Sequence, residues 1–276
     1  MIYLDVNNND IFNLGIDTLI YQGKVKGILQ GDLFNYPLSS GASKDFRIEW
    51  QLASSIGNIV QSDKTGYDIN FELTQNKKEI VGDWHFDENS GNIAYDSAFE
   101  PANNGTINGA SWTDGKYNPA LSFDGSDYVS TPLNINGYAA VTLEAWVNMG
   151  NINFGTYSYK MIVSDGLSQN FIAVNKNNSQ LLFQIQANAR ITIYSDILSQ
   201  NVWYHIVGTY DGIKMRIYVN GVEKGSDNLS GNIAASSMNI GWGQDDRFWK
   251  GIIDEVRIYN RALSASEILE RYNAGI

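Results

Sequence analysis

Cysteine is absent from the 276 residues, which removes disulfides, thiolate metal sites and cysteine nucleophiles together. Basic residues are scarce. Lys and Arg number 19 against 30 Asp and Glu, and the resulting net charge of −11 opposes the phosphate neutralisation that drives nucleic-acid binding, so no nucleic-acid partner is expected. Proline occurs only 4 times and histidine only 2 times, which leaves few kinks and few candidates for imidazole chemistry. No apolar run approaches the roughly 18–20 residues of a membrane span, and Met1-Ile2-Tyr3-Leu4-Asp5 lacks the basic region of a secretion signal.

The chain is rich in apolar and aromatic residues, with 43% hydrophobic positions, 16 Tyr and 7 Trp, far beyond what a disordered segment carries. Its length suggests two domains, each able to bury a core. Abundant Asn, 26 Gly and only 18% charged residues suit strands joined by tight polar turns. This composition points outward, to an extracellular or cell-surface protein whose leader is not part of this sequence. Acceptor sequons at Asn104, Asn177 and Asn228 permit glycosylation.

Short alternating runs recur from end to end, and an all-β chain follows. In Val202–Val219 one run ends at Asp211-Gly212, a second covers Met215–Val219, and Asn220-Gly221 turns again; both dipeptides suit two-residue hairpin loops. Helical signals concentrate at the C-terminus. Ser264 and Glu267 form a capping box flanked by Leu263 and Ile268, which predicts a helix over Ala265–Tyr272, ended by Gly275 and serving as a lid without chemistry. The charged stretch Asn76-Lys77-Lys78-Glu79 marks a boundary between domains 1–79 and 80–276.

From Gly82 onward, ordered blocks carry a family resemblance. They are Trp84–Gly91, Gly105-Thr106-Ile107, Ala120–Gly125, Tyr128-Val129, Thr142–Val147, Trp203–Gly212 and Gly251–Ser264. This segment resembles the laminin G-like, concanavalin A-like lectin and glucanase jelly rolls. The resemblance implies two packed antiparallel sheets of about a dozen strands, and glycan or extracellular protein as the partner. It also implies a structural Ca²⁺ held by Asp254, with further oxygens from Asp124, Gly125 and Asp127 and with Asp87 as another candidate. Without an ion, Asp254 would cap a strand or pair with Arg257.

The first eighty residues place oxygen side chains at Asp5, Asn7 and Asn9, the alternation that opens a calcium loop; a plain Asn-rich turn is the other reading. Asp17–Gly23, Phe46–Trp50, Gly57–Gln61 and Tyr67–Leu73 resemble the later half of TasA and camelysin-like surface proteins. That resemblance implies a second, partial β-sandwich unit and self-assembly into a fibre by strand exchange through residues 1–80.

Catalysis finds little support. Related glucanases carry paired carboxylates on one strand, whereas here Glu144 stands alone in Leu143-Glu144-Ala145-Trp146-Val147. His85 and His205 lie in alternating strands, where a core imidazole is expected, and a glycosidase is the least favoured reading. Binding chemistry concentrates in one loop, where Trp242, Gln244, Asp245, Arg247 and Trp249 join planar rings to hydrogen-bonding groups, as sugar rings require. Tyr157 and Tyr159 lie in a second irregular stretch, while Phe248 and Trp249 also fit a role as core anchors. The expectation is a non-catalytic extracellular recognition protein with bound Ca²⁺; a fibre subunit is the alternative.

Overall fold

A computed structural model describes residues 79–98 and 102–274 in full, and the backbone of three short strands before them. The chain divides into two compact units, Met1–Glu72 and Leu73–Ile276, upstream of the boundary expected at 79/80. In the first unit β1 (Ile2–Leu4) pairs antiparallel with both β2 (Thr18–Tyr21) and β3 (Phe46–Ile48). Asp5, Asn7 and Asn9, and most of the segments likened to TasA proteins, lie outside the described residues.

The second unit is all-β apart from one helix, with two antiparallel eight-stranded sheets. Sheet I runs in the order β17 (Val222–Asn228), β16 (Lys214–Val219), β15 (Trp203–Tyr210), β10 (Val141–Met149), β19 (Lys250–Tyr259), β8 (Pro119–Asp124) and β7 (Ser111–Asp114). β4 (Ile80–Trp84) also pairs with β19, beyond the point where β8 leaves it. Sheet II runs β14 (Arg190–Ile197), β13 (Gln180–Gln186), β12 (Phe171–Asn175), β11 (Tyr159–Asp165), β18 (Ser237–Ile240), β9 (Tyr128–Asn134), β6 (Gly105–Asn108) and β5 (Ile93–Ala94).

The period of two builds the core. In β10, Val141, Leu143, Ala145, Val147 and Met149 point between the sheets, where they meet Ile172, Val174, Leu181, Phe183 and Ile185 of β12 and β13. The alternate residues Thr142, Glu144 and Trp146 are buried as well, because other elements cover the outer face of sheet I. Helix α1 (Ala265–Ala274) is one cover: Leu263 and Ile268 pack on Val207, Tyr218 and Tyr259. The Ser264–Glu267 capping box forms as expected, with the Glu267 carboxylate accepting from the Ser264 amide at 2.8 Å. The helix runs to Ala274, past the expected Tyr272.

Asn220-Gly221 makes the expected two-residue hairpin loop with both φ angles positive, 51° and 77°. The Asp211-Gly212 turn differs. It takes three residues, because the Asp211 carboxylate accepts the amides of both Ile213 and Lys214 and draws Ile213 into the loop. Among the described residues no helix is long and apolar enough to cross a membrane.

Three connections carry the chain between the sheets at one end of this unit. They are residues 125–127 after β8, 150–158 after β10, and 241–249 between β18 and β19. Register places them together, since Lys250 pairs with Asp124 and Gly251 with Met149.

Candidate functional site

The 241–249 connection lies against the outer face of sheet II and is shaped by close contacts. Gly241 has a φ of +80°, and a Cβ there would come within 2.6 Å of the Phe123 ring. At Gly243 a Cβ would lie 2.3 Å from Ser168 Oγ, and the Ser168 hydroxyl accepts the Gln244 amide at 2.7 Å. These contacts bring the loop down until the Met161 amide of β11 donates to the Arg247 carbonyl at 3.1 Å. Asp245 takes a left-handed φ of 63°, and its carbonyl accepts the Trp242 indole at 3.0 Å. The indole plane is thereby fixed.

Three aromatic rings form a half-buried platform there. Trp242 stacks on Phe248 with centroids 6.1 Å apart and planes 26° from parallel. Tyr128, at the start of β9, closes on both, 5.2 Å from Trp242 and 6.4 Å from Phe248. Gln244 and Asp245 are exposed, and Arg247 lies over the Tyr157 ring at 4.7 Å.

A polar strut joins this loop to the 150–158 connection. The Asp246 carboxylate accepts the amides of Thr156 at 2.5 Å and Tyr157 at 3.2 Å, bonds that hold it below the usual carboxylate range. Lys160 is fully buried, with Nζ 2.9 Å from the Asp246 carbonyl and 4.2 Å from the Phe154 ring centroid; burial lowers its affinity for a proton.

The structure brings Trp242, Gln244, Asp245, Arg247 and Tyr157 into this one region. Trp249 does not belong there. Its side chain has 0% exposure and sits in the intersheet core, so it anchors the loop and presents no face to a ligand. Tyr159 belongs to β11, not to an irregular stretch, and packs with Met161, Phe171, Ala173 and Leu182 on the outer face of sheet II. The sequence reading missed Tyr128, Asp246 and Lys160. Tyr128 had a signal in its position at the start of an alternating run, while the Lys160 strut depends on contacts between segments distant in sequence.

The proposed calcium ligands do not converge. Asp254 and Asp124 lie toward opposite ends of the β19–β8 pairing, which runs from Lys250 opposite Asp124 to Ile253 opposite Leu121. Asp124 accepts the Ser126 amide and hydroxyl, which lower its pKa, and Asp127 accepts the Asp124 amide at 2.7 Å. Gly125 has its α-carbon beside the Phe154 ring, and exposed Asp87 accepts from Asn118 at 3.4 Å. Among the described residues no group of three or more His, Asp or Glu could hold a metal ion. Asp254 is the exception in chemistry. Its Oδ2 accepts the Lys116 and Tyr117 amides at 2.8 and 3.1 Å, but its buried Oδ1 has no partner, and burial pushes the carboxyl up to about 7. Its Oδ1 is left open, and the Asp124, Gly125 and Asp127 set does not reach it.

Glu144 is committed elsewhere. At 0% exposure, its Oε1 lies 2.8 Å from His205 Nε2, and both its oxygens accept from Arg271 Nε of α1 at 2.8 and 2.9 Å. Burial alone would raise its pKa, but the His205 bond and the Arg271 charge hold it low. His205 is fully buried, as expected of a core imidazole. His85 stands half-buried between Asp83 and Glu255, whose hydrogen bonds raise it to about 10.

Several solved structures share the fold. The binding domain of Paraclostridial Mosquitocidal Protein 1 aligns at 18% identity over 71% of this chain and 52% of that one, with a TM-score of 0.59. Domain 4 of AbnA, a GH43 extracellular arabinanase from Geobacillus stearothermophilus, solved with arabinotriose, aligns at 20% identity over 70% of this chain and 98% of that one, with a TM-score of 0.52. Trypanosoma rangeli sialidase aligns at 16% identity over 71% of this chain and 33% of that one, with a TM-score of 0.55. This chain spans about half the length of the mosquitocidal binding domain. At such identities the likeness shows the fold alone. No curated protein sequence matches the chain. The Laminin_G_3 profile of the concanavalin A-like lectin/glucanases superfamily matches residues 123–269, more than half of the sequence, and the chain belongs to that family.

Proposed function

We propose that this protein is a non-catalytic recognition module that binds a saccharide at the Trp242 platform in an extracellular adhesive role. The observation that carries the reading is the locked, half-buried stack of Trp242, Phe248 and Tyr128 beside exposed Gln244 and Asp245. Flat apolar faces match the C–H faces of a sugar ring, and the neighbouring side chains match its hydroxyls. Because the Asp245 carbonyl and the Asp246–Lys160 strut already fix the loops, little ordering entropy remains to be lost on binding. Binding domains among the structural relatives support the class of function, and the arabinotriose complex of AbnA domain 4 supports a sugar as ligand. The burial of Glu144 under Arg271 and His205 supports the non-catalytic reading.

Affinity electrophoresis of the intact chain through gels containing plant or microbial polysaccharides tests this. At least one polymer should retard the protein, and Trp242→Ala should weaken that retention about tenfold, equivalent to about 1.4 kcal/mol, while the protein stays folded by circular dichroism. Free migration in every gel, or retention indifferent to Trp242→Ala, contradicts the reading. Calcium belongs to this proposal only through the unpartnered oxygen of Asp254, as a stabiliser of the fold and not a ligand contact.

A further inference from the structure

Arg247 narrows the class of ligand, in an inference that rests on the saccharide site just proposed. Two neighbouring lysines are engaged in bonds to the chain, and exposed Lys250 at the start of β19 faces Asp124, the residue it pairs with. Lys160 Nζ donates to the Asp246 carbonyl at 2.9 Å, and Lys176 Nζ donates to the carbonyls of Phe154 and Gly155. The acid beside Arg247 is engaged too, since Asp246 spends its carboxylate on the Thr156 and Tyr157 amides. Among the described residues, no hydrogen bond or ion pair reaches the Arg247 guanidinium. It is held by the face of Tyr157, 4.7 Å from its centroid.

A guanidinium carries five N–H donors in a planar fork and no acceptor, and its charge persists at any working pH. Stacking on Tyr157 orients that fork in advance without using its donors. Residues 81–276 carry a net charge of −8, so the field of the module repels anions, and only a local cation could draw one to this loop. Asp245, two positions earlier, is exposed and accepts hydrogens, which sugar hydroxyls supply. A bare guanidinium calls for the complementary group.

We infer that the ligand of this site is an anionic saccharide, with a carboxylate or sulfate bound bidentately by Arg247 while a ring of the same chain lies on the Trp242 platform. Neutral sugars satisfy the platform but leave the fork unpaired.

The test measures the affinity of the intact chain for polygalacturonate, which supplies carboxylates, for heparin, which supplies sulfates, and for neutral arabinan, by isothermal titration at fixed ionic strength. At least one acidic polymer should bind tenfold or more tightly than arabinan, and the arm that does so identifies the anion. Arg247→Gln should remove that advantage, Arg247→Lys should restore part of it, and both should keep the wild-type thermal midpoint. If arabinan binds as tightly as the acidic polymers, with Trp242→Ala abolishing all binding and Arg247→Gln changing none, the anionic class is wrong and the saccharide site stands. If acidic polymers bind Trp242→Ala undiminished, the attraction is diffuse charge, which also overturns the inference. Binding of none of the three overturns the anionic inference, while the saccharide site still stands or falls on the polysaccharide gels.

Discussion

A carboxylate shut away from water with one oxygen lacking a donor is costly, and Asp254 is such a group. Two backbone amides of the 115–118 turn satisfy its other oxygen, and through them the turn folds over sheet I, where Tyr117 meets the Trp146 ring edge-on at 5.6 Å. A divalent cation at Oδ1 would offset the remaining cost. If Ca²⁺ binds there, saturation to a hundredfold over its dissociation constant should stabilise the fold by about 2.7 kcal/mol. Such a gain corresponds to a rise of about 5–10 °C in thermal midpoint over EGTA for a unit of this size. Asp254→Asn should erase the difference; equal midpoints for the wild type in calcium and EGTA mean that the carboxylate works through the turn amides alone. Trp242 and Trp249 show how far single residues can be read from sequence. Both are aromatics in one loop, yet counting back from inward-facing Ile253 in steps of two puts position 249 on the inner face. That phase was available, whereas the ring cluster at Trp242 is completed by Tyr128, far away in the chain.

At the scale of elements, local patterns were legible and pairings across the sequence were not. The Ser264–Glu267 box, the flanking Leu263 and Ile268, and the Asn220-Gly221 turn involve neighbours, so propensity and spacing suffice to place them. The three-residue form of the Asp211 turn needed knowledge of where its carboxylate would bond. Helix α1 was expected as an inert cover, but Arg271 turns it into a latch by reaching Glu144, 127 positions earlier. No periodicity encodes that pair. Since Glu144 has no exposure, truncating Arg271 leaves a buried charge without its hydrogen-bonded guanidinium, next to His205 and with Arg257 across the strand. Arg271→Ala should therefore cost about 3 kcal/mol in urea unfolding, and adding Glu144→Gln should recover part of the loss. A change below about 0.5 kcal/mol would place this pair among ordinary surface ion pairs and would mean that α1 is held by Leu263 and Ile268 alone.

In the second unit as a whole, the two outer faces have different fates. Sheet I is closed by α1 and the 115–118 turn, and its outward polar groups Glu144, His205, Asp254 and Arg257 are spent on structure or buried. Sheet II carries the aromatic platform where three connections gather at one end, with Gln244, Asp245 and Tyr157 open to solvent. The strands and the terminal helix followed from alternation, turn and capping chemistry, because those rules are local and repeat, whereas the packing of two sheets was implied by the family resemblance. The site was legible as a loop composition but not as an arrangement, because its geometry depends on Gly241, Gly243 and Lys160 meeting partners distant in sequence. The central claim is that recognition occurs on this platform. Nuclear magnetic resonance of the side-chain N–H groups, during titration with galacturonic and arabinan trisaccharides, tests it most directly. Binding should move the Trp242 indole and Arg247 guanidinium signals while leaving Trp146, under α1, unchanged. Shifts centred on Trp146, Lys116 or His85, or no shifts at saturating sugar, would contradict it.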